Sequence, residues 1–117
     1  MPDQDVLLSV ADGVASIVLN RPARRNAITG PLVVDLISAF TSVSERDDVG
    51  AVLFHGADGA FCSGLDLKEF NADPQPPWLS TFGESNTKAH RALFDCPVPV
   101  VVALERYAIN GGAAYAL

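Results

Sequence analysis

Two glycine-bearing turns, Phe61-Cys62-Ser63-Gly64-Leu65-Asp66 and Tyr107-Ala108-Ile109-Asn110-Gly111-Gly112, constrain this chain more than any other feature. Each follows a β-type apolar run and precedes residues compatible with a helix, so each reads as a strand-to-helix turn. The first amide hydrogens of such a helix have no intrahelical partners, and the helix dipole adds positive potential there. Two such turns can aim backbone N–H groups at one oxygen, the arrangement that stabilises an oxyanion. The paired glycines keep that approach open, because a Cβ at Gly111 or Gly112 would meet a bound substrate. The competing reading is that these glycines only pack a helix against its neighbours.

The rest of the chain supplies the elements that would carry the turns. Residues 6–10 and 14–19 read as two strands joined through Ala11-Asp12-Gly13, whose Asp-Gly dipeptide tolerates the positive φ of a tight hairpin. Asn20-Arg21-Pro22 ends the hairpin, and a loop runs through Asn26. From Thr29-Gly30-Pro31 onward, Leu32, Val33, Leu36, Ile37, Phe40 and Val43 recur at helical spacing. The apolar run at residues 50–56 reads as a strand covered on both faces, and helix followed by strand implies a crossover with parallel strands. Residues 71–77 are a proline-rich loop, residues 78–94 are helical, and residues 100–104 form another strand. The closing residues, 111–117, read as the start of a helix without cap or closing glycine, so a domain continuing beyond Leu117 is expected.

Of the 117 residues, 49% are hydrophobic, enough for one core. Eight basic against fourteen acidic residues give a net charge of −6, which disfavours a nucleic-acid surface. The local group Arg21, Arg24 and Arg25 suits a phosphorylated small molecule, or else three solvated loop arginines. Cys62 and Cys96 lack the spacing of a zinc site or disulfide framework, so no metal is expected and a reducing cytoplasm fits. No apolar run approaches the ~20 residues of a membrane span.

Four stretches in a fixed order resemble the amino-terminal half of the enoyl-CoA hydratase/isomerase family, the crotonase fold. They are Val18-Leu19-Asn20-Arg21-Pro22 with Arg25-Asn26-Ala27, then Val49-Gly50-Ala51-Val52, then residues 60–70, and finally residues 99–117 centred on Ala108-Ile109-Asn110-Gly111-Gly112. The resemblance implies an α/β fold, a spiral of ββα turns of which residues 1–117 form the first part of a single domain. It also implies assembly into trimers or pairs of trimers. The implied substrate is an acyl or enoyl thioester of coenzyme A in lipid metabolism, with no tightly bound cofactor and no nucleic-acid or membrane partner. Its carbonyl oxygen would be held by the backbone amides of Leu65 and Gly111. The same pattern sets the coenzyme's adenine against Ser63, Asp66 and Leu67, and places Lys68, Arg24 and Arg25 near its phosphates. Two residues of that set have simpler readings: Asp66 as a helix cap and Lys68 as a solvent-facing charge.

Two departures from the family pattern bear on the chemistry. Hydratases of this family place a glutamate on the helix after the second glycine turn, where this chain has Ala114. Alanine neither accepts a proton nor orients water, so isomerisation, hydrolysis or decarboxylation outranks hydration, with a non-catalytic acyl-CoA-binding or assembly subunit as the alternative. Leu104-Glu105-Arg106 stands where the family commonly has a small Asn-Gly pair. His55 and His90 are read as structural or exposed rather than catalytic.

Overall fold

The structure is a computed structural model that describes residues 4–109 and 111–116. Asn110 of the second turn and Leu117 lie outside the described residues. Strands β1 (Val6–Ala11) and β2 (Val14–Leu19) form the expected antiparallel hairpin, in register from Val6 opposite Leu19 to Ala11 opposite Val14. Its turn places Asp12 at φ 53° and Gly13 at φ 79°, the left-handed pair that matches the twist of the two strands.

Helix α1 (Gly30–Ser44) starts where Thr29 accepts a hydrogen bond from the Leu32 N–H at 3.3 Å. Its buried stripe includes Leu32, Val33, Leu36, Phe40 and Val43, while Ile37 is half-buried. The helix is the crossover into β3 (Ala51–Gly56), which pairs parallel to β2. Strand β4 (Val100–Val102) pairs parallel to β3 on its other side, giving the sheet order β1-β2-β3-β4. Phe40 of α1, Phe54 of β3 and Phe61 meet edge to face at 5.5 and 5.1 Å, fixing the helix on the sheet.

Three expectations need correction. Strand β3 alternates, with Val52, Phe54 and Gly56 buried and Ala51, Leu53 and His55 half-buried, so only one face is fully covered among the described residues. Residues 78–94 are not one helix: Pro77–Thr81 is a 3₁₀ turn, and helix α3 runs from Phe82 to Phe94. The turn lets Trp78 meet Phe70 and Phe82, at 5.2 and 5.8 Å between ring centres. Strand β4 stops at Val102 rather than residue 104. Beyond it the Ala103 N–H still reaches the Phe54 C=O at 3.0 Å, but the Glu105 N–H turns back onto the Ala103 C=O at 3.1 Å. That tight local turn takes the chain off the ladder. A single-turn helix α2 (Leu67–Phe70) and helix α4 (Gly111–Ala116) complete the elements. No helix among the described residues is long and apolar enough to cross a membrane.

Candidate functional site: two glycine turns on one ladder

Residues 60–66 leave the sheet end as an extended segment held on both sides. On one side the Phe61 N–H donates to the Glu105 C=O at 2.9 Å, the Cys62 N–H to the Tyr107 C=O at 3.0 Å, and the Ile109 N–H to the Cys62 C=O at 3.2 Å. This parallel bridge between Cys62 and Ala108 sets the two glycine turns side by side. On the other side the Ser63 N–H donates to the Arg25 C=O at 3.1 Å, the Ile28 N–H to the Gly64 C=O at 2.7 Å, and the Asp66 N–H to the Ile28 C=O at 2.9 Å. Gly64, at φ 93°, permits the sharp change of direction between the two ladders.

The bridge between Ile28 and Leu65 determines where the Leu65 amide points. In a parallel bridge the inner residue bonds to the neighbours of its partner, so the partner's own N–H faces away. The Leu65 N–H therefore faces away from Ile28, and it has no hydrogen-bond partner among the described residues.

Two clefts flank this segment. One of about 350 Å³ is lined by Ser63, Leu65, Leu67, Asn86, Ile109 and Gly111, together with Phe82. The other, of about 360 Å³, brings Arg24, Arg25, Ser63, Leu65, Asp66 and Leu67 together with Ile109 and small residues of the 23–27 loop. The expected residues thus converge on one region, except Lys68, which lines neither cleft and is exposed on α2.

Asp66 is the electrostatic centre of that loop. It is only 3% exposed, accepts from the Glu69 N–H at 3.1 Å as the N-cap of α2, and pairs with Arg24 at 2.5 Å and Arg21 at 3.2 Å. Burial pushes its carboxyl upward, but hydrogen bonds from Arg24, Glu69 N–H and Arg21, with the Arg24 charge, outweigh it and hold the group below its usual range. The Arg24 guanidinium is engaged by this carboxylate, whereas Arg25 is exposed and held at φ 56°.

Several residues here carry more of the geometry than their sequence context indicated. Asn26 is 1% exposed; its amide donates to the Ala57 and Ala60 C=O groups at 3.2 and 2.8 Å, and its oxygen accepts from the Arg21 N–H at 2.8 Å. It therefore clamps the loop that feeds the first glycine turn. The Arg106 position adopts φ 59°, and its guanidinium lies 5.6 Å from the Tyr107 ring centre. The left-handed backbone gives a physical reason for the small Asn-Gly pair expected near this point.

Gly112 requires a correction. A Cβ there would lie 2.7 Å from the Cys62 carbonyl oxygen and 2.8 Å from the Cys62 Cβ, so the glycine is needed for contact with the first turn rather than for substrate clearance. At Gly111 the nearest atom to such a Cβ is the Ile28 Cδ1, at 3.0 Å. Along α3, His90 stacks on Tyr115 of α4 with 4.2 Å between ring centres and 7° between planes, and the Tyr115 hydroxyl is hydrogen-bonded to the Asn86 side chain. Burial lowers the His90 pKa and, with the nearby Cys62, raises that of Tyr115. Sequence spacing gave no sign of this pairing, because it joins two helices across the second glycine turn.

Comparison with known proteins agrees with this arrangement. The family model for enoyl-CoA hydratase/isomerase matches residues 9–117. The chain is 36% identical over 115 residues to probable enoyl-CoA hydratase EchA14 of Mycobacterium tuberculosis, covering 96% of this chain and 43% of that protein. It is 33% identical over 116 residues to the 1,2-epoxyphenylacetyl-CoA isomerase of Escherichia coli, covering 96% of this chain and 44% of that protein. Among solved structures, PA4980 of Pseudomonas aeruginosa superposes with a TM-score of 0.88 at 29% identity, covering 97% of this chain and 49% of that one. The chain therefore spans less than half the length of these relatives. The chain therefore belongs to the enoyl-CoA hydratase/isomerase family and carries part of the crotonase fold.

Proposed function

We propose that this chain forms the oxyanion-binding part of an acyl-CoA enzyme, in which the backbone amides of Leu65 and Gly111 hold the thioester oxygen as it becomes an enolate or tetrahedral anion. The observation that carries the reading is the Leu65 N–H: the bridge turns it away from Ile28, it has no hydrogen-bond partner among the described residues, and Leu65 and Gly111 line one cleft. A backbone amide has no protonation state to lose and little freedom to reorient, so it is preorganised for charge that appears only during reaction. In this reading Ser63 and Leu67 offer the backbone of the first turn to the coenzyme. Arg25, exposed beside them, meets its phosphates, while Arg24 shapes the loop through Asp66.

Ala114 is exposed on α4 and offers no group that can transfer a proton. Isomerisation, hydrolysis or decarboxylation is thus the reaction class, in preference to hydration by a glutamate at this position. Assembly as a trimer or pair of trimers belongs to the same reading.

The test is removal of the Leu65 N–H from the purified protein, by Leu65→Pro and by an amide-to-ester replacement at Leu65 that retains the side chain. An oxyanion contact strengthens as charge develops, so its loss falls mainly on turnover, by about 10²- to 10³-fold, with a smaller effect on acyl-CoA affinity. Full turnover in the folded ester variant would remove Leu65 from the proposed machinery.

A further inference from the structure

Helices α3 and α4 each contribute residues to two clefts. Asn86 and Gly111 line the cleft that contains Leu65. One turn further along both helices, His90 and Ala114 line a second cleft of about 520 Å³ with Thr87, Arg91, Leu93 and Phe94. Residues three or four apart on a helix share a face, so the two clefts are successive positions along the same pair of helices, separated by about 5.4 Å.

The second cleft has an unequal set of polar groups. The Thr87 hydroxyl donates to the Gly83 C=O at 3.0 Å, leaving His90 and Arg91 as the lining residues that carry side-chain nitrogens. No carboxylate lines it, and Arg91 forms no ion pair among the described residues. The stack on Tyr115 fixes the plane of the His90 ring. Leu93, Phe94 and the small Ala114 offer apolar contact to a short chain of methylenes.

We propose that this second cleft receives the far end of the acyl group and selects one that ends in a carboxylate, bound by Arg91 and His90. An arginine fork matches a carboxylate in two parallel hydrogen bonds, and the alanine at 114 removes the like charge that would repel it. The inference rests on the acyl-CoA reading and adds the substrate class, a dicarboxylic acid joined to coenzyme A through one end.

Calorimetric titration of the purified protein with glutaryl-CoA and valeryl-CoA, which have the same number of acyl carbons, tests it. Glutaryl-CoA binds about tenfold more tightly, R91Q removes the preference, and R91E reverses it. Equal affinities for the two thioesters, or a preference that survives R91Q, would overturn the carboxylate assignment while the acyl-CoA reading stands. Failure of both thioesters to bind would overturn the acyl-CoA reading itself, and the assignment with it.

Discussion

Asp66 illustrates how one buried side chain organises a whole loop. It caps α2 and pairs with two arginines that approach from the segment after the hairpin, so removing it exposes three unmet partners at once. Asp66→Ala is expected to destabilise the fold by about 3 kcal/mol, the range for breaking a buried pair and losing a cap. The pH dependence follows from the lowered pKa of this group. A depressed carboxyl favours the folded state above the unfolded value of ~3.9, and that contribution is lost as pH falls through the folded value. Denaturant titrations at descending pH should therefore show stability declining more steeply below about pH 4 in the native protein than in Asp66→Asn; parallel curves would contradict this. The cap was legible in the sequence, because Asp before a short polar helix is a recurrent pattern. The arginine partners were not: they lie far away in the chain, and only the fold brings them to the carboxylate.

Among the elements, those with a local code were the readable ones. The hairpin was set by Asp12-Gly13 and α1 by its apolar period, and both stand where those signals put them. The boundaries of α3 and β4 were harder, because Trp78 is placed by its contacts with Phe70 and Phe82 and the end of β4 by a turn onto Ala103. Helix α4 carries the clearest consequence of tertiary packing, since Gly112 fits against Cys62 with no room for a side chain. Gly112→Ala must push the backbone of the first turn away from the second, at a cost of about 1–3 kcal/mol. Thermal unfolding is expected to show the loss, and a spectroscopic probe on α4 should report the displacement. An unchanged melting temperature would mean that the turns separate more readily than their shared bridge implies. Glycine at this point was visible in the sequence; that its neighbour is Cys62 was not.

Over the molecule as a whole, a radius of gyration of 13.6 Å is that of a folded unit of this length. Its surface is nevertheless unusual for a free-standing domain. Phe94 is 86% exposed, and Leu104 and Val101 are 60% and 59% exposed. Apolar side chains presented this far promote association. A polypeptide of residues 1–117 is expected to self-associate in sedimentation velocity at micromolar concentration, and Phe94→Lys with Leu104→Lys should shift it toward monomer. A monomeric native polypeptide would show that these side chains are accommodated without a partner.

The paired bridges also have a consequence for the order of events during folding. Ile28 meets Leu65 and Cys62 meets Ala108 across long stretches of chain, whereas the hairpin closes through a two-residue turn. Chain entropy delays contacts of the first kind and favours the second. The bonded amides of Phe61, Cys62, Ser63 and Asp66 are therefore expected to gain protection from hydrogen exchange late in refolding, after β1 and β2. The same amides would open early under mild denaturation, so the junction of the two glycine turns would come apart before most of the chain has unfolded.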